Sequence, residues 1–320
     1  MITLHVAGGC VLMTPVGSYS WHMGNVFDSC VRFCVPVFVM ISGALFLPRD
    51  NSMKRYVVRI VGSLIFWGLL YMVVLYGVPW RTGIINLPLM VRFFFRPIHF
   101  WFMYMIAGLY LVTPILRAIV RDENAVRWFI VLWLVFTIIL PSLDCIPWVG
   151  YVTKIIRVNT QLSVATNYAG YYVLGYLLAR AHHPILERTG LILALIGMLA
   201  TIILTWKLSN DEGAFNETYY ANLKLPVFIA SLGVFLTFKH MFERIRLSRA
   251  GQIFVNLIAV NSLGIYLIHM IFLEWLFDYS GTRVFESPLL YIPMLTLAIL
   301  LLSIVGVMLI KLVPWLRRVV

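Results

Sequence analysis

The sequence of 320 residues is short of charge, and Asp, Glu, Lys and Arg together make up 12% of it. That is about half the share usual in soluble domains. Acids are the scarcer sign, 13 against 25 Lys and Arg. Cysteine is sparse too. Cys10, Cys30, Cys34 and Cys145 are too few and too scattered for a disulfide framework, and the Cys30/Cys34 spacing lacks the partners of a zinc or redox site. They read as apolar fillers, and no metal is expected. No basic n-region precedes the first apolar stretch, which argues against a secretory signal peptide. Internal repeats, low-complexity tracts and flexible linkers are also missing, so one domain spanning 1–320 is expected.

Apolar residues are what the sequence has in excess, at 62% with a mean hydropathy of +0.92. Even a chain of about 300 residues buries only about three-quarters of its unfolded surface, so no water-soluble fold could hide so much. Disorder, a secreted disulfide scaffold and a nucleic-acid-binding domain are excluded. The net charge of +12 sits in short basic clusters between apolar stretches, as in the cytoplasmic loops of polytopic membrane proteins. The expected fold class is an all-α integral membrane protein.

Only helices and closed barrels satisfy their backbone in lipid. Ten apolar stretches therefore read as transmembrane helices: 1–17, 28–47, 58–78, 99–117, 126–141, 163–180, 189–207, 224–239, 254–277 and 287–312. Residues 81–98 read as an interfacial segment and 142–162 as a structured loop. Sixteen of the 25 basic residues fall on one side of this layout, which assigns that side to the cytoplasm. Both termini then lie in the cytoplasm. His5 sits eleven residues below the outer end of helix 1, about 16 Å at 1.5 Å per residue, near the bilayer midplane. Four residues lie below it where about nine or ten are needed, so further helix upstream of Met1 is expected.

Titratable groups at membrane depth are functional candidates by default. His5 suits the role of general base, or is a neutral imidazole bonded to a neighbouring helix. Arg32 cannot discharge and either needs an anionic partner or reaches the outer interface. Pro36 kinks helix 2, and the nearby Ser42-Gly43 are small enough for close helix packing. Arg55 and Arg59 share a helix face at i, i+4, a spacing suited to forked contacts with phosphate, or to anchoring beside anionic lipid. An aromatic belt accounts for Trp101 but less well for His99. Ser262, Tyr266 and His269 form a polar stripe at i, i+4, i+7 that lines a wet cavity or bonds between helices.

Three runs resemble signatures of the acyltransferase 3 family of membrane acyltransferases. They are Arg32-Phe33-Cys34-Val35-Pro36-Val37-Phe38-Val39-Met40-Ile41-Ser42-Gly43, then His99-Phe100-Trp101-Phe102 leading to Leu111-Val112-Thr113-Pro114, and Asn261-Ser262-Leu263-Gly264-Ile265-Tyr266-Leu267-Ile268-His269. They occur in the family's order, with a histidine in helix 1, and overall length resembles the enterobacterial-common-antigen O-acetyltransferase branch most. The resemblance implies a multi-pass protein of the bacterial inner membrane. It implies transfer of acetyl from acetyl-CoA to a hydroxyl of a cell-envelope glycan or its lipid-linked precursor. It implies His5 as the catalytic histidine, Ser42, Arg55 and Arg59 as acyl-CoA contacts, and Arg32, His99, Trp101, Ser262, Tyr266 and His269 around the acceptor or cavity. The family's basic residue eleven positions before its histidine falls upstream of Met1. Two other functions fit such a scaffold: transport of a glycan or lipid-linked sugar, and an inactive family member.

Overall fold

A computed structural model describes residues 1–50, 52–74, 97–146, 148–160, 167–181, 184–245, 247–280 and 283–320. Among these residues the chain is helical, without strands. The helices are α1 (Ile2–Met13), α2 (Tyr19–Ser29), α3 (Cys34–Phe46), α4 (Lys54–Val74), α5 (Trp101–Arg121) and α6 (Glu123–Ser142). There follow α7 (Val149–Thr160), α8 (Ala169–Arg180), α9 (Pro184–Glu212), α10 (Leu225–Arg244), α11 (Arg249–Ser280), the short α12 (Arg283–Glu286) and α13 (Pro288–Ile310). Among the described residues eight segments are long and apolar enough to cross a membrane: α2 and α3 taken together, α4, α5, α6, α9, α10, α11 and α13. The first and sixth expected spans coincide with α1 and α8, of 12 residues each, shorter than the ~20 that a bilayer needs. The expected interfacial segment lies outside the described residues over 81–96.

Two boundaries differ from the sequence reading. The second span begins at Tyr19 rather than near residue 28, because Ser18 caps it by accepting a hydrogen bond from the Trp21 backbone N–H (3.1 Å). The turn before it uses Gly17 at φ 83°, a conformation open to glycine. That span is interrupted between Ser29 and Cys34. A proline ring clashes with the carbonyl four residues back, so Pro36 stops a regular helix from running through Arg32. The expected structured loop at 142–162 contains a helix, α7. Its polar side is clipped to the chain before it: the Thr153 hydroxyl donates to Asp144 (2.9 Å), and Arg157 forms an ion pair with the same carboxylate.

Contacts between helix ends fix the up-and-down order. At one end Arg121 pairs with Asp50 (3.0 Å), Arg117 donates to the Phe46 carbonyl (2.9 Å) and Lys239 to the Leu178 carbonyl (3.0 Å), while Arg59 donates to the Val320 carbonyl (2.8 Å). At the other end Tyr171 donates to the Asn222 carbonyl (2.7 Å) and Trp133 to the Asn167 carbonyl (2.8 Å), while Lys224 bonds the Pro141 carbonyl. Backbones come closest where α3 meets α8. A Cβ added at Gly43 would stand 1.7 Å from the Tyr172 carbonyl oxygen, and one at Gly175 would stand 2.0 Å from that of Met40. Small residues allow such approaches between helices in lipid, where packing replaces the hydrophobic effect.

Candidate active site

Three histidines from separate elements meet inside this bundle. His5 lies on α1, His269 on α11, and His99 in the single 3₁₀ turn Ile98–Phe100 ahead of α5. His269 stands between the others, its ring centroid 5.3 Å from His5 and 5.4 Å from His99. Both His99 and His269 are buried. Tyr266, one turn before His269, ties the cluster together. Its hydroxyl donates to the His99 carbonyl, and its own carbonyl accepts from His269 Nδ1 at 2.5 Å. A carbonyl can only accept, so Nδ1 carries the proton and Nε2 of the neutral ring is left with a free lone pair. That Nε2 is buried without a hydrogen-bond partner, as is Nε2 of His5. Buried polar atoms are normally paired, so unpaired imidazole nitrogens on neighbouring rings mark a place where a hydrogen-bonding group can enter. Tyr71 supports the wall behind them, its hydroxyl on the Leu267 carbonyl (2.7 Å) and its ring 5.4 Å from His99.

His269 opens onto a cavity of about 800 Å³ that runs along α11 towards the start of α4. Ser262, Tyr266 and His269, the polar stripe, line one side. Val35 and Phe38 of α3, with Phe102, Met103 and Ile106 of α5, make an apolar wall. Tyr56, Arg59, Lys311 and Arg317 stand at the charged end. Among the described residues Asp and Glu are absent from the lining. The shape is therefore a mostly apolar passage with cations at its mouth and imidazoles at its inner end.

The other residues singled out from the sequence lie elsewhere. His5 and His99 stand behind His269 and are not part of the lining. Ser42 is buried and hydrogen-bonded to Tyr110, whose side chain does line the cavity. Arg55 is exposed and away from the cavity. Trp101 is on the outside of the bundle, its ring 5.8 Å from that of Tyr168. Arg32 finds its anion within the chain, pairing with Asp28 at 2.5 Å and resting 4.0 Å over the Tyr220 ring. Asp28 is fully buried and is part of a polar cluster that sequence reasoning missed. In that cluster Asn25 accepts from Tyr220 (2.7 Å) and Ser29 (3.1 Å) and donates to the Ile202 carbonyl (3.1 Å). The i, i+4 spacing of Asp28 and Arg32 is the signal that would have found it. Lys311 and Arg317 were missed because they read as ordinary basic anchors beside the last span. Among the described residues no group of three His, Cys, Asp or Glu is arranged to hold a metal.

The acyltransferase 3 family model, described as an acyltransferase domain, matches residues 1–308. No curated protein and no solved structure matches the chain.

Proposed function

Because the chain belongs to the acyltransferase 3 family, matched over residues 1–308, and is built as a multi-pass membrane protein, we propose that it transfers acetyl from acetyl-CoA to a hydroxyl of a cell-envelope glycan or its lipid-linked precursor. The setting proposed is the bacterial inner membrane with both termini cytoplasmic, and the acceptor class is that of the enterobacterial-common-antigen branch. The observation that carries this reading is one cavity joining a cationic mouth at Arg59 to an unpaired imidazole nitrogen on His269, with that of His5 next to it. A CoA thioester has the matching order of parts, with phosphates at one end, a long arm, and the reactive carbonyl at the other.

In this scheme Arg59 meets the phosphates through forked hydrogen bonds, Arg55 stays outside the cavity as a basic residue of the same surface, and the arm lies along the apolar wall of α3 and α5. The wall is held in shape by Ser42 through Tyr110. His5 takes the proton from the acceptor hydroxyl as its oxygen attacks the thioester carbonyl. The new C–O bond forms, the C–S bond breaks, and the proton passes to the departing CoA sulfur. General-base help of this kind is worth about 10²–10⁴-fold in rate. His269 and Tyr266 position the imidazoles, His99 packs behind them, and Ser262 faces the incoming arm. Arg32 and Trp101 stand on the acceptor side.

Purified protein tests this with acetyl-CoA and a hydroxyl acceptor. His5→Ala should lower kcat by about 10²–10⁴-fold while leaving acetyl-CoA affinity within error. A His5→Ala protein with the full rate would overturn the assignment of the base. Movement of unmodified glycan across the membrane, with no acetyl ester formed, would favour the transporter instead.

A further inference from the structure

The segment after α13 lies beyond the family match, which ends at residue 308, yet it folds back into the mouth of the cavity. Lys311, Arg317 and Val320 all line it. The segment is held in place at several points. Arg317 Nε donates to the Lys311 carbonyl (2.7 Å), Lys311 Nζ donates to Asn261 Oδ1 (2.6 Å), and Trp67 donates to the Val319 carbonyl (3.0 Å). Val320 is 1% exposed and packs against Gly264. The segment is thus a fixed wall of the mouth.

Three cations from two parts of the chain therefore converge there, Arg59 from α4 and Lys311 and Arg317 from this segment, and among the described residues no Asp or Glu lines the cavity to answer them. Gathering like charges costs energy unless an anion balances them. Burial and the neighbouring charge of Arg59 both push the Lys311 ammonium below its ordinary pKa. Arg59 donates to the main-chain oxygen of Val320 (2.8 Å), and a phosphate group, with more oxygens to fork onto, can compete for that guanidinium.

We propose that residues 311–320 are part of the donor site, with Lys311 and Arg317 joining Arg59 to seat the phosphate groups of the nucleotide end of the acyl donor. This rests on the reading that the donor is a CoA thioester. Arg317 supplies a fork, Lys311 a point charge, and Arg59 turns from Val320 to the incoming phosphate.

The test measures coenzyme A binding to the full chain in nanodiscs of zwitterionic lipid, and in parallel nanodiscs containing phosphatidylglycerol. Adenosine 3′,5′-bisphosphate serves as a second probe, bearing phosphates without the arm. Lys311→Gln and the exposed Arg317→Gln should each weaken both probes by about ten-fold or more and flatten the salt dependence, with Lys311→Arg close to wild type. Because Arg317 is exposed, Arg317→Gln keeps the test open if Lys311→Gln fails to fold. Coenzyme A bound by wild type and equally well by both Gln variants would overturn this proposal alone. So would variants that lose only the effect of phosphatidylglycerol, since the cations would then serve a lipid headgroup. A wild-type protein that binds no coenzyme A would overturn both this proposal and the donor assignment beneath it.

Discussion

Asp28 and Arg32 illustrate what one residue costs inside a membrane protein. The carboxylate is fully buried and its single described ionic partner is the guanidinium one turn on, at 2.5 Å. Removing one member of a buried pair leaves the other uncompensated, at about 3–5 kcal/mol. Arg32→Leu should therefore lower the thermal midpoint of the purified protein sharply, and Asp28→Asn in the same chain should restore much of the loss. If Arg32→Leu melts with the wild type, the pair is not a stabilising element. Arg32 was legible in the sequence as a charge that needs an anion. Its partner stood at the i, i+4 spacing that would have found it, whereas the Tyr220 ring under the guanidinium comes from a distant part of the chain and left no local signal. The histidines were legible as separate candidates only. Their convergence depends on how α1, α11 and the turn before α5 pack, which spacing within one helix cannot encode.

Among the elements, α3 and α8 make the tightest contact, and it is specific to two glycines. Gly175→Val would drive new side-chain atoms into the Met40 backbone, since a Cβ alone would lie 2.0 Å from its carbonyl oxygen. The helices would have to part, so we expect a strong fall in folded yield by size-exclusion chromatography, whereas Gly62→Ala, with open space around it, should behave as wild type. Equal yields would mean that this contact does not govern assembly. Long apolar elements such as α9 and α13 were readable from hydropathy because lipid demands a continuous apolar run. Helix α7 was not. Its apolar residues Val149, Tyr151, Val152 and Ile155 are exposed, while its polar Thr153 and Arg157 hold the protein through Asp144. This reverses the soluble pattern, and Pro147 and Gly150 read as loop punctuation.

For the whole molecule, the order of the helices and the distribution of basic residues make a joint prediction. The end of the bundle that holds Arg59, Arg121 and Lys239 should face the cytoplasm. Reporter fusions at Val320 should give a cytoplasmic signal, and fusions at Asn210 the opposite one. A cytoplasmic signal from Asn210 would break the up-and-down order deduced from the contacts between helix ends. The donor would then meet the cationic mouth from the cytoplasm, and the histidines would stand deeper in the membrane.

The most direct test of the account is to reconstitute the protein in vesicles with acetyl-CoA labelled in the acetyl group and to analyse the envelope glycan fraction by mass spectrometry. We predict a labelled acetyl ester on a glycan hydroxyl, formed together with free CoA and lost in the His5→Ala protein. Label that stays on CoA with the wild-type protein, or an ester that forms equally well with His5→Ala, would contradict it.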